Sequence, residues 1–174
     1  MAEPVGVIQW IVVAVGFLRL AELAHSRRNQ RRLLARGGRE VGAGHYPLIV
    51  LLHASWLAVL FFGVPATKQP DWLMLAGFAM LQGLRLWIIA SLGEYWTTRI
   101  VTLPGEPLSR RGPYRWMRHP NYLIVAAEIA LLPLAFGQWQ IALGFSLANA
   151  ALLCWRISVE NRVLDSRASS GNSR

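Results

Sequence analysis

The residues best suited to chemistry lie in one short segment, from Gly112 to Tyr122. It reads GPYRWMRHPNY and combines arginine, histidine, asparagine and tyrosine. Pro120 lacks an amide hydrogen and suits the first turn of a helix, which leaves His119 at the open helix N-terminus. Free backbone N–H groups at such an end bind anions. The segment therefore predicts an anionic-ligand pocket or, alternatively, an interfacial aromatic belt whose arginines contact lipid phosphates.

A second candidate pair is Arg156 and Glu160, which are four residues apart and share one face of a helix. On its own such a pair is an ordinary helix-end ion pair, worth under about 1 kcal/mol. A helical hairpin before it would return the pair to the membrane side of His119. Both charged sets would then share one pocket.

The elements that must position these residues are membrane helices. Of 174 residues, 54% are apolar and 16% charged, whereas soluble domains have about 25% charged residues. We expect an all-α integral membrane fold, one domain over residues 1–174, with about five transmembrane helices, the last two a helical hairpin, and a cytoplasmic cofactor pocket. The predicted helices are about 5–24, 46–66, 72–92, 122–136 and 139–155, with a disordered tail at about 168–174. The first run has no small-residue cleavage site after it and is expected to be a retained anchor.

Loop charge predicts the orientation. The formal net charge of +9 comes from 17 arginines and one lysine against nine acidic residues. In a soluble chain this excess would suggest nucleic acid, but here it indicates topology, and no nucleic-acid partner is expected. An external N-terminus places 15 of the 18 basic residues inside. We expect a multi-pass protein of the bacterial inner membrane, with its active site on the cytoplasmic side.

Other polar residues fall inside the apolar runs. A charged side chain there costs free energy unless it is paired. We therefore expect Arg85 and Glu128 to form a structural pair between helices. His53 is expected to be a satisfied core histidine rather than a ligand. Cys154 is the single cysteine, which excludes a disulfide framework, and no His, Asp and Glu set has metal-ligand spacing.

The order of these residues resembles a known family, that of the isoprenylcysteine carboxyl methyltransferases, integral-membrane enzymes that use S-adenosylmethionine. The resemblance rests on Gly112-x-Tyr114-x-x-x-Arg118-His119-Pro120-x-Tyr122 and on Arg156-x-x-x-Glu160. It extends from Arg19-Leu20-x-Glu22-Leu23 to Glu160. Leu92-Gly93-x-Tyr95-Trp96-Thr97-Thr98-Arg99 and Arg110-Arg111-Gly112-Pro113-Tyr114-Arg115 resemble signatures of a compact bacterial branch. That branch O-methylates alkylpyrones made by type III polyketide synthases.

The resemblance implies roles for individual residues. S-adenosylmethionine, with S-adenosylhomocysteine as its product, would contact Glu106, Leu108, Ser109, Tyr114, His119, Pro120, Asn121, Tyr122 and Glu160. Arg156 would bind the methyl acceptor, and Arg156 and Glu160 are the predicted catalytic residues. The chain departs from the family in having Glu160-Asn161 where two acidic residues are usual, and in lacking the aromatic, acidic C-terminal segment of eukaryotic members.

Elementary chemistry agrees with methyl transfer. A carboxylate acceptor, with a pKa of about 3.5, is ionised at neutral pH, and an acidic hydroxypyrone enol behaves alike, so no general base is required. The glycines of residues 37–44 lack the spacing of a soluble dinucleotide-binding loop. The expected substrate is a lipid-like small molecule, most of all an alkylpyrone. Membrane lipids are the other expected partners. Alternatives are a prenylcysteine carboxyl methyltransferase, an NADPH-dependent sterol-type reductase with a similar Arg-His-Pro-x-Tyr stretch, and a non-catalytic basic adaptor that binds anionic lipid.

Overall fold

Five helices and one small ribbon form the chain in the computed structural model, which describes residues 5–103 and 111–171, the last nine as backbone alone. The helices are α1 (Val7–Ala35), α2 (Tyr46–Gly63), α3 (Trp72–Leu92), α4 (Pro120–Ala135) and α5 (Trp139–Gly171). Strands β1 (Arg39–Val41) and β2 (Ile100–Thr102) pair antiparallel, with Glu40 opposite Val101. The predicted all-α integral membrane fold is confirmed.

Four of these helices, α1, α2, α3 and α5, are long and apolar enough to cross a membrane. The fifth predicted span corresponds to α4, which has only 16 residues. At 1.5 Å per residue it is about 24 Å long, shorter than the roughly 30 Å hydrocarbon core. The structure therefore gives four full-length spans and one short apolar helix, where the sequence predicted five spans.

Two helices continue beyond their predicted ends. Helix α1 runs to Ala35, although its apolar run stops at Ala24, and α5 runs to Gly171 although its apolar run stops at Trp155. The added residues are mostly arginine, leucine, alanine and asparagine or glutamine in α1, several of which favour helix. Hydropathy thus marks the end of the apolar part of each helix and not the end of the helix itself. Helix α5 also overlaps the first residues of the predicted disordered tail, while 172–174 lie outside the described ranges.

A tight turn joins α4 to α5 and forms the predicted hairpin. Gly137 has a φ of +65°, a left-handed conformation that favours glycine. The N–H of Gly137 donates to the Leu134 carbonyl and that of Gln138 to the Pro133 carbonyl, both at 2.8 Å. These bonds satisfy the open carbonyls at the end of α4. The turn sends α5 back to the end of the bundle where α4 begins.

The apolar core lies toward the other end of the bundle. Many of its buried members come from the first half of α1, the second half of α2 and the second half of α4. They include Ile8, Val12, Trp56, Leu60, Ile129 and Leu132. Between membrane helices such side chains stabilise the fold through close van der Waals packing, because the alternative surroundings are lipid and not water. This packing leaves the beginning of α4 and the later turns of α5 free to carry polar residues.

A buried ion cluster of Arg19, Glu22, Gln82, Arg85 and Glu128 joins α1, α3 and α4. Arg85 lies 3.0 Å from Glu128 and 2.7 Å from Glu22, which confirms the predicted interhelical pair and adds a partner. Glu128 also accepts hydrogen bonds from Gln82 at 2.7 Å and Arg19 at 3.2 Å. Two cations meet two anions, so the cluster has no formal net charge. We interpret it as part of the scaffold.

His53 also has the structural role that was expected of it. Its Nδ1 donates a 2.8 Å hydrogen bond to the Ile49 carbonyl of the same helix. Its ring packs edge-on against Trp56, with the ring centroids 6.4 Å apart. Both contacts lie within α2, away from the candidate site described next.

Candidate active site

The segment that carries the candidate residues is fixed to the end of α3 at Gly112. This glycine begins a short 3-10 helix, Gly112–Arg115, and has a φ of +54°. A Cβ at this position would overlap the hydroxyl of Ser91 on α3. The position therefore requires glycine for both its backbone conformation and its packing. From there the chain reaches Pro120, the first residue of α4, as the sequence predicted.

A chain of short hydrogen bonds links α4 to α5. The Tyr122 hydroxyl donates to Glu160 at 2.5 Å and accepts from Arg156 Nε at 2.6 Å. The guanidinium of Arg156 also lies over the Tyr122 ring, 5.3 Å from its centroid. Charge-assisted hydrogen bonds of this kind are about twice as strong as neutral ones. The structure thus brings together the two predicted charged sets, as the hairpin required.

Arg156 is buried, with 7% of its surface exposed. Its Nη2 donates to the Thr98 carbonyl at 2.8 Å, and its Nε is used by Tyr122. Among the residues that the structure describes, Nη1 makes no hydrogen bond. Nη1 is therefore the part of the guanidinium that an anionic ligand can use.

His119 packs beside this chain and contacts both residues of the Glu160-Asn161 pair. Its ring stacks on Tyr122 with centroids 5.3 Å apart. Nε2 lies 3.1 Å from Asn161 Oδ1, and Nδ1 lies 3.7 Å from Glu160 Oε2. Asn161, the residue at which the sequence departs from the pattern it resembles, bonds the histidine through its amide oxygen. The departure noted in the sequence therefore keeps a partner for His119.

Tyr114 and Asn121 complete the described part of the site. Burial, with a smaller effect of the Glu160 charge, raises the pKa of the Tyr114 hydroxyl, so it stays protonated and can donate. The Oδ1 atom of Asn121 is buried and accepts no hydrogen bond within the described ranges. A buried acceptor without a donor is costly, which makes it a candidate contact for a ligand donor. The predicted contacts Glu106, Leu108 and Ser109 lie outside the described residues.

The loop after α3 contributes contacts that the sequence did not reveal. Thr98 offers its backbone carbonyl to Arg156, and a backbone group gives no residue-type signal. Two residues hold Thr98 in position. Ser26 Oγ accepts a hydrogen bond from the Thr98 N–H at 2.8 Å, and the Tyr46 hydroxyl lies 3.3 Å from Thr98 Oγ1. The next residue, Arg99, binds Glu40 at 2.5 Å across the β1–β2 ribbon. The ribbon thereby ties this loop to the α1–α2 connection.

The family match covers this same part of the molecule. Residues 72–166 match the family described as "Isoprenylcysteine carboxyl methyltransferase (ICMT) family", from the start of α3 through Glu160. The chain belongs to this family. The resemblance drawn from the 112–122 segment and the Arg156–Glu160 pair is confirmed at this level. Membership implies a membrane methyltransferase, while the alkylpyrone branch stays a prediction.

Two bacterial proteins are similar to this ICMT family member over much of its length. "Uncharacterized protein YpbQ" of Bacillus subtilis (strain 168) is 39% identical over 160 residues, which cover 89% of this chain and 95% of the relative. "Uncharacterized protein" of Haemophilus influenzae (strain ATCC 51907 / DSM 11121 / KW20 / Rd) is 26% identical over 113 residues, or 62% of this chain and 64% of its own length. No solved structure matches the chain significantly.

Proposed function

We propose that the protein is an S-adenosylmethionine-dependent O-methyltransferase whose acceptor is a membrane-partitioned amphiphile, most of all an alkylpyrone-type polyketide. The observation that carries this proposal is Arg156. It is buried beside Tyr122 and Glu160, and its Nη1 is free of hydrogen bonds in the described part of the chain. A guanidinium in that state fits an acceptor oxygen that carries negative charge.

The residues at the start of α4 fit the cofactor. S-adenosylmethionine supplies a methyl group on a positively charged sulfur and carries amino and hydroxyl donors. Glu160 has a carboxylate that can bind a positively charged group or a hydrogen-bond donor. Asn121 Oδ1 is a buried acceptor without a donor in the described part of the chain. Tyr114 stays protonated and can donate to a carboxylate or ring nitrogen. His119 is held between Tyr122 and Asn161, ready to contact the same ligand.

In this proposal the protein catalyses methyl transfer by aligning the acceptor oxygen with the methyl group. An ionised acceptor needs no base, and correct alignment of two reactants can account for roughly 7–11 kcal/mol of a barrier. Arg156 would hold the acceptor head while Tyr122 and the Thr98 carbonyl hold Arg156. An alkyl tail in the bilayer gains about 0.8 kcal/mol per buried CH₂, which concentrates such acceptors at the membrane.

A prenylcysteine carboxylate is the second candidate acceptor. It is equally ionised at neutral pH, and the family description names such a substrate. We favour the alkylpyrone because the 92–99 and 110–115 stretches resemble the compact bacterial branch. The reductase and adaptor alternatives are disfavoured by membership of a methyltransferase family.

The first prediction concerns the cofactor. We expect His119→Ala and Glu160→Ala each to weaken S-adenosylhomocysteine binding by at least about tenfold, or roughly 1.4 kcal/mol, because each removes a hydrogen bond to a charged ligand. Calorimetry on detergent-purified protein would measure the affinity. Ser158→Ala is the matched control, since this exposed hydroxyl bonds only the Trp155 carbonyl of its own helix among described contacts. Wild-type affinity in both variants would contradict the cofactor assignment, as would tight binding of NADPH.

The second prediction concerns the acceptor. We expect purified protein to transfer the labelled methyl group of S-adenosylmethionine to a long-chain alkylpyrone in preference to a farnesylated cysteine analogue. Both acceptors are ionised, so the comparison isolates recognition of the head group. Methylation of the prenylcysteine alone would reject the alkylpyrone and keep the reaction class. Turnover of neither, with tight cofactor binding, would indicate another lipid.

We further propose that the protein lies in the bacterial inner membrane with this site facing the cytoplasm, because that orientation places most arginines inside. In a Cys154→Ser background, an impermeant thiol reagent should label Gln69→Cys in intact cells and Arg118→Cys only after permeabilisation. Both positions are exposed and lie in different inter-helix connections. Labelling of Arg118→Cys in intact cells would reverse the orientation.

A further inference from the structure

A buried histidine that the proposed mechanism does not use lies beside the site. His45 directly precedes α2 and has only 2% of its surface exposed. Its ring packs edge-on against Trp155 of α5, with centroids 5.9 Å apart. In the part of the chain that the structure describes, neither imidazole nitrogen forms a hydrogen bond.

The turn before His45 holds it against α5, beside the residues of the site. Gly42 has a φ of +66°, and a Cβ there would lie 2.6 Å from Val159 Cγ1 and 3.0 Å from His45 Cε1. Trp155 and Val159 are the sequence neighbours of Arg156 and Glu160. The imidazole is therefore level with the two charged residues along α5, and the charges of both act on it.

Tyr46 ties the same turn to the hydrogen bonds around Arg156. Its hydroxyl lies 3.3 Å from Thr98 Oγ1, and the Thr98 carbonyl accepts from Arg156. His45 is thus held from two directions: by α5 through Trp155, and by the 98–99 loop through its neighbour. Burial of the ring favours the neutral imidazole, the form that accepts a proton.

We propose that His45 is a further catalytic residue, the base that accepts the proton of a methyl acceptor whose hydroxyl is neutral. This inference rests on the proposed methyl transfer. As the acceptor O–H bond breaks, its proton passes to an imidazole nitrogen, and the oxygen forms its bond to the methyl carbon. The bond from that carbon to the sulfonium sulfur breaks, and its electron pair stays on sulfur. The proton then leaves the imidazolium to water.

The proposal extends the substrate class. An acidic enol or carboxylate is already ionised and does not need His45, whereas a phenol with a pKa of about 10 is protonated at neutral pH. General-base catalysis typically contributes about 10²–10⁴-fold. A site with both Arg156 and His45 could therefore methylate ionised and neutral hydroxyl acceptors that carry similar tails.

The test compares two acceptors in one preparation, a long-chain alkylpyrone and a long-chain alkylphenol, at neutral pH. We expect His45→Gln to lower kcat/KM about 100-fold for the alkylphenol and less than about threefold for the alkylpyrone. Glutamine keeps a polar side chain of similar size but does not accept a proton. Because the readout is the ratio of two rates on the same sample, partial misfolding does not mimic it. His53→Gln, in a buried histidine bonded within its own helix, should leave the ratio unchanged.

Several outcomes would overturn the role of His45. An equal loss for both acceptors would make it a packing residue, and no loss would remove it from the site. Failure of the wild-type protein to methylate the alkylphenol would contradict it as well, since His45 would have no proton to accept. A separate titration with S-adenosylhomocysteine keeps the two proposals apart, because absence of binding would contradict the proposed function itself.

Discussion

Replacement of Arg156 by alanine is expected to lower kcat/KM for the methyl acceptor by about 10-fold to 150-fold, while S-adenosylhomocysteine affinity changes less than about threefold. The reason is that Nη1 is the part of the buried guanidinium left for the acceptor, and a hydrogen bond to a charged group contributes about 1.5–3 kcal/mol. Tyr122 can still donate to Glu160 in this variant, so the proposed cofactor contacts remain. Steady-state assays with the alkylpyrone and calorimetry with the product would measure the two quantities.

Two further variants sharpen this expectation. Arg162→Ala removes a second arginine from the same helix, but one that is exposed and bonds the Ser158 carbonyl, so activity should be unchanged. Arg156→Lys keeps the charge but loses the planar fork that reaches Thr98 and Tyr122 together, so most of the loss should persist. If Arg156→Ala reduced cofactor affinity as much as turnover, Arg156 would belong to the cofactor pocket.

The sequence was sufficient to bring the main site residues together. The i,i+4 spacing of Arg156 and Glu160 placed them on one helix face, and the turn at Gly137 made a hairpin the natural link to His119. Contacts through backbone atoms or from distant loops could not be predicted this way. The Thr98 carbonyl and the approach of His45 to Trp155 depend on how the 98–99 and 42–45 loops fold. Neither loop has a periodic pattern from which its path follows.

The fold was predictable where hydropathy controls it. The helix starts at Tyr46, Trp72 and Trp139 agree with the apolar runs. The ends of α1 and α5 do not, because helix propensity continues after apolar character stops. The β1–β2 ribbon was not predicted either. Strands of three residues are too short for an alternating pattern, and pairing of Glu40 with Val101 joins segments far apart in the chain.

In the buried ion cluster, too, part of the pairing could be predicted from the sequence and part depended on how the helices pack. Arg85 and Glu128 were expected to pair because an unpaired charge in an apolar run is costly. That Arg19 and Glu22 would join them depended on how α1 lies against α3 and α4. In the structure, Arg85 is shared between two carboxylates and Glu128 between two arginines and Gln82. Removal of one member therefore leaves several partners unsatisfied.

Replacement of Glu128 by alanine should produce the largest loss of stability, about 3–5 kcal/mol, because it leaves a buried, uncompensated positive charge. Arg85 Nη1 and the Gln82 amide would each lose an acceptor, and the cluster would gain a net charge of +1. Unfolding in mixed micelles, followed by tryptophan fluorescence, would measure the change. Glu94→Ala is the matched control, since its 2.8 Å ion pair with Arg36 is largely exposed and should contribute little.

A compensating double variant separates charge balance from packing. Arg85→Met together with Glu128→Gln removes one charge of each sign and leaves Arg19 paired with Glu22 at 2.8 Å. If uncompensated charge causes the loss, this double variant should recover more than half of the stability lost in Glu128→Ala, because neutral replacement of a buried ion pair costs little. A double variant as unstable as Glu128→Ala would instead mean that the hydrogen-bond geometry of Arg85 itself holds α1, α3 and α4 together. The site at the far ends of α4 and α5 would then depend on this cluster for its helix positions, and S-adenosylhomocysteine affinity should fall in parallel with stability.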